Sequence, residues 1–302
     1  MTIAEFTGES CEPLTTDNVK LGTGPPTREE LLIYYPAKFT WHQMKTFVNA
    51  GDLGLLKRDK KLQQRYDSWA VGIREQYGSM VNYLLSYRLQ WGKCDTLSKL
   101  PSRLDLQAKS MHSDRGTEPN GTHLPQVPVG AKKYFTADIS DALISIIMND
   151  WPYSVPANIE HALIWTVVPI LSPDIPPSIK PRLLQDGLWG FTGLSPDSPP
   201  PSPSLLPSCL PALAEWEVTE SNLIRSVKGT EEEERAVTDA GAEVHKFVCN
   251  RWAEKEWETA WFVNPPRLQS VPGLAHIHVF ARYKTPEEAL RWDADYLPRA
   301  SS

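Results

Sequence analysis

An α+β fold is predicted for this chain of 302 residues: an N-terminal helical unit, then an antiparallel sheet with helices on one side. Three observations predict it. Large apolar side chains recur at three- and four-residue spacing before residue 96. Short runs rich in β-branched and aromatic residues recur after residue 155. A proline-dense stretch interrupts the second half.

The composition supports a packed core. Hydrophobic residues make up 41% and charged residues 23%, and eleven Trp are far more than a flexible polar chain carries. The net charge of −6 argues against a general nucleic-acid binder, which normally shows a basic surplus. Apolar runs stay below the ~18 residues of a membrane span, so no membrane partner is expected. The first thirty residues lack a charged start followed by an apolar stretch, and a cytoplasmic location is the expectation. Four scattered cysteines (Cys11, Cys94, Cys209, Cys249) form no C-x-x-C pair and are expected to be free thiols. The sequon at Asn120 is expected to be unused for the same reason of compartment.

Residues 1–30 are polar, hold Gly22-Thr-Gly-Pro-Pro26 and show no apolar period, so a flexible tail is expected. Thr40-Trp-His-Gln43 fits a capping box, in which Thr and Gln side chains satisfy orphan amides. The helix it starts should stop near Asn49-Ala-Gly51. Leu62, Tyr66, Trp69, Ile73 and Tyr77 mark a second helix, and Met80, Tyr83, Leu84, Tyr87 and Trp91 a third. Residues 31–96 thus read as a helical unit. Its block Lys57-Arg-Asp-Lys-Lys61 could bind phosphate or serve as a nuclear address; a solvated helix face is the preferred reading. The aromatic stripe is likewise read as core before ligand box.

Residues 97–130 are polar and turn-rich, a linker or long loop. From Asp138 to Met148 a helix is predicted, with Ile139, Leu143, Ile146 and Ile147 on one side, ending before Pro152. Ile159 to Val168 reads as a largely buried strand. Eleven prolines lie between Pro173 and Pro211, and over this insertion an extended, solvated segment without regular helix or strand is expected. It could recruit an SH3- or WW-type protein partner; a tolerated surface insertion is preferred. Residues 231–260 give the strongest helical pattern, with Val237, Ala240, Val244, Phe247, Val248 and Trp252 as its buried stripe and Glu231–Glu234 at the dipole's positive end. Strands follow at Ala260–Asn264 and Leu274–Arg282, then a helix opened by Thr285-Pro-Glu-Glu288.

Three of the seven histidines fall in predicted strands: His161, His276 and His278. Residues two apart in a strand face the same way, about 7 Å apart, so His276 and His278 share a face with Phe280. If the strand of His161 lies beside theirs, three imidazoles converge. Imidazole titrates near neutrality and offers one donor and one acceptor nitrogen when neutral, so it can act as nucleophile, proton carrier or metal ligand. Half-buried rings satisfied by backbone are the bland reading. Three imidazoles with an open fourth position would also suit zinc, although no carboxylate motif accompanies them.

Phe262-Val-Asn264, Gln269-Ser-Val271 and His276-Ile-His-Val279 together resemble the signature end of histidine-triad nucleotide-binding proteins, and Glu160-His-Ala-Leu-Ile164 is similar to their earlier histidine-bearing strand. The resemblance covers about residues 155–170 and 231–283. It implies a HIT-like domain over 131–302, interrupted by the proline-rich insertion 173–211. The implied site has His278 as nucleophile with His161 and His276 supporting it, Asn264 and Ser270 holding phosphate oxygens, and Gln269 in the same loop. Phe280 replaces the triad's third histidine, and the loop before His276 is longer than usual, which allows a register two residues away. Asp150 is the candidate for gripping a ribose. A second resemblance, through Gly51-Asp-Leu-Gly-Leu-Leu-Lys-Arg-Asp59 and Asn149-Asp-Trp-Pro-Tyr153, is to the fungal N-acetylglucosamine-induced protein family, classed under a domain of unknown function. The expected function is binding, with or without cleavage or transfer, of a nucleotide or nucleotide sugar. The alternative is a non-catalytic sensing or scaffolding role linked to N-acetylglucosamine. Neither a cofactor nor a nucleic-acid partner is expected.

Overall fold

The computed structural model describes residues 13–93, 123–194 and 201–296, with side chains through 292. Cys11, Cys94, the sequon and most of the 97–130 segment lie outside the described residues, and Cys209 and Cys249 are unpaired thiols.

Side-chain caps set the starts of the first helices. Thr27 and Glu30 form a capping box for α1 (Arg28–Tyr34), and Thr40 and Gln43 form the expected one for α2 (Trp41–Val48). Asp59 accepts from the Lys61 and Leu62 amides to start α3 (Lys60–Tyr77), which ends at Gly78 in the left-handed conformation, φ 77°. Helix α4 (Met80–Tyr83) passes into a single π-helical turn at Leu84–Arg88, so the third predicted helix is shorter than its aromatic spacing suggests. Part of the expected tail is held in place: Glu30 Oε1 accepts from the Gly22 amide, and the Tyr34 hydroxyl donates to the Val19 carbonyl at 2.6 Å.

Five strands follow: β1 (Ile144–Met148), β2 (Ile159–Thr166), β3 (Leu188–Thr192), β4 (Trp257–Val263) and β5 (Ala275–Tyr283). They pair antiparallel throughout in the order β1-β2-β5-β4-β3. Helices α5 (Lys180–Asp186), α6 (Leu206–Cys209), α7 (Glu231–Ala240), α8 (Ala242–Arg251) and α9 (Pro286–Tyr296) complete the chain order. No helix among the described residues is long and apolar enough to cross a membrane.

Three predictions are corrected. Residues 144–148 form a strand, because Ile-Ser-Ile-Ile-Met can bury both faces against neighbours: Ile144 and Ile146 enter one core, Ile147 another. The proline-rich segment carries α5, β3 and α6, because Pro181 and Pro207 fall in the first turns of α5 and α6, where proline does no harm. The long helix is two, α7 and α8, divided at Gly241, where an added Cβ would lie 2.8 Å from Trp261 Cη2.

The sheet is covered on both faces. On one, Val244, Phe247 and Val248 of α8 pack with Ile146, Ile164, Trp261, Ile277 and Val279. On the other, Met44, Phe47 and Val48 of α2 pack with Ala260, Phe262 and Phe280, while Ala70 and Ile73 of α3 and Met80 of α4 pack with Ile147, Leu163 and Trp165. The N-terminal helices therefore share their cores with the sheet. A buried ion pair crosses the same interface: Lys45 Nζ of α2 lies 2.6 Å from Glu258 Oε1 of β4, and Arg282 of β5 takes the other carboxylate oxygen at 2.5 Å.

Candidate functional site

The register of β2 on β5 places His161 opposite Phe280, Leu163 opposite His278 and Trp165 opposite His276. Directly opposed residues share a face, and so do alternate residues along a strand. All three imidazoles therefore project toward the N-terminal helices, as the strand reading required.

They form a chain, not a triangle. His161 Nε2 lies 3.0 Å from His278 Nδ1, and His278 Nε2 lies 3.2 Å from the terminus of the Asn264 side chain. His276 takes no part in these hydrogen bonds, although its ring centroid lies 5.1 Å from that of His278: its Nδ1 lies 2.9 Å from the Leu274 carbonyl, and its ring tilts over Trp165 at 4.3 Å between centroids. A carbonyl oxygen only accepts, so His276 carries its proton on Nδ1 and keeps a lone pair on Nε2. The alternative arrangement, three imidazoles turned toward a common zinc, is not what the described residues show: His161 and His278 each turn a nitrogen to the other. Among the described residues no group of three His, Cys, Asp or Glu is arranged to hold a metal.

A cavity of about 220 Å³ opens beside these rings. His276, His278, Asn264 and Ser270 line it, so four of the six expected residues meet there. His161 sits one ring behind, against His278, and Gln269 turns away to donate to the Asn264 carbonyl at 2.9 Å. Asp150 reaches the same cavity, but Arg88 Nε grips both its carboxylate oxygens at 2.9 and 3.0 Å, which commits the group proposed for a ribose.

The opposite wall comes from the N-terminal helices. Tyr66, Trp69 and Tyr83, read from sequence as core, line the cavity together with Trp151 and Tyr153. Arg58 lines it too, and is not the solvated residue its charged block suggested. It donates from Nε and Nη2 to the Trp151 carbonyl at 3.1 and 2.8 Å and from Nη1 to Gln63 Oε1 at 2.5 Å, and its guanidinium lies 4.8 Å above the Tyr66 ring. Sequence reasoning missed its role because Asp59 caps α3, so the basic block starts before the helix face it was assigned to. A signal existed in the string Asn149–Tyr153, which supplies four lining residues.

Electrostatics keep the imidazoles neutral. Burial drives the His161 and His278 pKa values well below the ordinary 6.5; for His278 the neighbouring His276 and His161 add to this, and Arg58 adds to it for both. His276 is lowered by burial, with the Leu274 carbonyl pulling the other way. Burial raises the Tyr153 hydroxyl.

A family model described as protein of unknown function (DUF3605) matches residues 40–178 and 223–282. The chain belongs to the DUF3605 family. The match takes in every site residue from Arg58 to His278, whereas residues 179–222, with most of the proline-rich segment, fall outside it. The DUF3605 chain matches no curated protein. It is similar to a solved structure titled "Crystal Structure of HTC1" at 18% identity, over 86% of this chain and 95% of that one, with a TM-score of 0.34.

Proposed function

We propose that the cavity binds a nucleotide or nucleotide sugar. One observation carries this reading: a guanidinium with no carboxylate within ion-pair distance among the described residues stands in a cavity walled by aromatic rings. Arg58 makes three hydrogen bonds to neutral acceptors and has five N–H groups, so two stay available to an anion. Rings such as Tyr66 and Trp151 suit a base or sugar face, and Asn264, Ser270 and His276 supply polar contacts. At about 220 Å³ the cavity accepts one end of such a ligand, the remainder extending through its mouth. Calorimetry of the full chain against AMP, ADP and UDP-N-acetylglucosamine tests the reading. Binding of at least one is expected, and binding of none overturns it.

A second reading, nucleotidyl or phosphoryl transfer, is favoured by the free Nε2 lone pair of His276. The histidine-triad resemblance assigned attack to His278, but both nitrogens of that ring are engaged. Moving the reactive ring to His276 uses the register two residues away and puts His278, not Phe280, two positions beyond it. Attack by His276 Nε2 would form a phosphorus–nitrogen bond as the bond to the leaving-group oxygen breaks, and water would later release the phosphoryl group. Sensing without turnover is the same site with this step missing. A covalent mass increment on His276 after incubation with a nucleotide supports transfer; binding with neither increment nor product leaves a sensor.

A further inference from the structure

Tyr83 lines the cavity from the end of α4 and also leads out of it. Inside, its ring meets that of Trp69 edge to face at 5.4 Å between centroids. Outside the cavity wall it stacks beside Tyr87 at 6.1 Å, with 27° between the planes. Residues four apart lie over one another on a helical turn, and the Leu89 amide closes this π-helical one on the Leu84 carbonyl at 2.8 Å. Tyr77 braces the pair from the end of α3, 5.4 Å from Tyr83 and 5.1 Å from Tyr87. Gly78 turns the chain there, and Asn82 Nδ2 donates to the Tyr77 carbonyl at 2.9 Å, which fixes how α4 leaves α3. Tyr87 is nonetheless 62% exposed. A large ring braced by two neighbours yet largely open to solvent is a surface for a flat ligand.

We propose that Tyr83 and Tyr87, braced by Tyr77, are the stacking platform for the base of a nucleotide sugar whose sugar and nearer phosphate occupy the cavity. The size of the cavity calls for such a division. Drug-sized ligands fill pockets of roughly 300–1,000 Å³, and about 220 Å³ holds only part of a nucleotide sugar. The orientation follows from the rings. Within the cavity wall Trp69 and Trp151 are inclined at 44° and Tyr66 and Trp151 at 68°, so these rings offer no parallel faces to a planar base. A puckered sugar needs one ring face for its C–H groups and polar atoms for its hydroxyls, and the cavity has both. Tyr83 and Tyr87 are closer to parallel and present a common face. Every base has a π face, so this platform tolerates any base. The platform rests on the cavity being a ligand site, and adds the place of the ligand's second ring.

Calorimetry of the full chain with UDP-N-acetylglucosamine, UDP and N-acetylglucosamine 1-phosphate tests this. The wild type is expected to bind the nucleotide sugar roughly tenfold or more tightly than the sugar phosphate, the worth of one stacked base. Tyr87→Ala is expected to remove that advantage and to weaken UDP about as much, with the sugar phosphate unchanged. Tyr87→Phe keeps the ring and should retain wild-type affinities. The side chain stands largely in solvent, so the urea midpoint should not move in either variant. Equal wild-type affinity for the nucleotide sugar and the sugar phosphate overturns the platform, and so does nucleotide-sugar binding untouched by Tyr87→Ala; both leave the cavity reading standing. A loss for the nucleotide sugar with UDP unaffected puts the sugar outside and overturns the orientation. Equal losses for all three ligands assign Tyr87 a structural role and overturn the platform. Wild-type binding of none of the three overturns it as well, and AMP and ADP then show whether the cavity reading falls with it.

Discussion

Lys45 and Glu258 form a 2.6 Å ion pair between α2 and the middle of the sheet, with both side chains almost wholly out of solvent. Glu258 also receives Arg282, whose guanidinium is shared with Glu288. Burial alone would pull the Lys45 pKa down, and Glu258 is its main counterweight. Removing one partner of such a pair strands a charge, whereas replacing both need not cost anything. Glu258→Ala is therefore expected to cost about 3–5 kcal/mol in urea unfolding, and Lys45→Met with Glu258→Met much less than the single change. A cost below about 1 kcal/mol for Glu258→Ala would show that the helices do not depend on this pair.

Arg58 allows a cleaner separation of binding from folding. Its aliphatic stem and its bonds to Trp151 pack the loop before α3, so Arg58→Met keeps bulk and loses the charge. Affinity for phosphorylated ligands is expected to fall roughly 10- to 100-fold, the worth of a charge-assisted hydrogen bond, with adenosine unaffected. Lysine is a point charge without the planar fork, so Arg58→Lys should recover only part of the loss. Equal losses for AMP and adenosine would assign Arg58 a purely structural role.

Acid should loosen the fold in a window set by these histidines. Unfolded imidazoles take up protons as pH falls through about 6.5, while buried His161, His276 and His278 resist, their pKa values being lowered. The unfolded chain then binds more protons, so stability is full above pH ~6.5 and falls toward the lower folded values. Each group contributes up to about 1.4 kcal/mol per pH unit within its window. Carboxylates held low by arginines, such as Glu234 by Arg182 and Glu288 by Arg282, lose their contribution only below their ordinary 4.5. Urea midpoints should drop clearly between pH 7.5 and 5.5. A flat profile there would mean that the three rings are not buried as neutral bases.

The sequence made the sheet-face geometry legible because period-two spacing is strict: placing His276 and His278 in one strand fixed their common face, and pairing with β2 added His161. It could not show which nitrogen of each ring is free. That depends on the Leu274 carbonyl and the Tyr153 amide, backbone groups with no side-chain signature. Residues 144–148 misled because Ile139, Leu143, Ile146 and Ile147 match a helical period as well as a doubly buried strand. Arg58 was hidden for a different reason. Charge patterning is local, whereas the groups that bury its guanidinium, Trp151 and Tyr66, stand 93 and 8 residues away in sequence, and only the docking of helices on the sheet brings all three together.

His276 offers the sharpest test of whether the site turns a ligand over. Its Nδ1–H bond to Leu274 points Nε2 away from the backbone, and Trp165 supports the ring from one side. The replacement must preserve that packing without the nucleophile. His276→Gln keeps a comparable length and a donor for the Leu274 carbonyl, and its side chain cannot form a stable phosphorus–nitrogen bond. Nucleotide affinity is expected to stay within about threefold of wild type, below 1 kcal/mol, while any covalent increment and any product formation disappear. Product formation that survives His276→Gln would exclude this ring as nucleophile. Equal loss of binding and turnover would instead make His276 a contact for the ligand, which is the sensor reading with its recognition residue named.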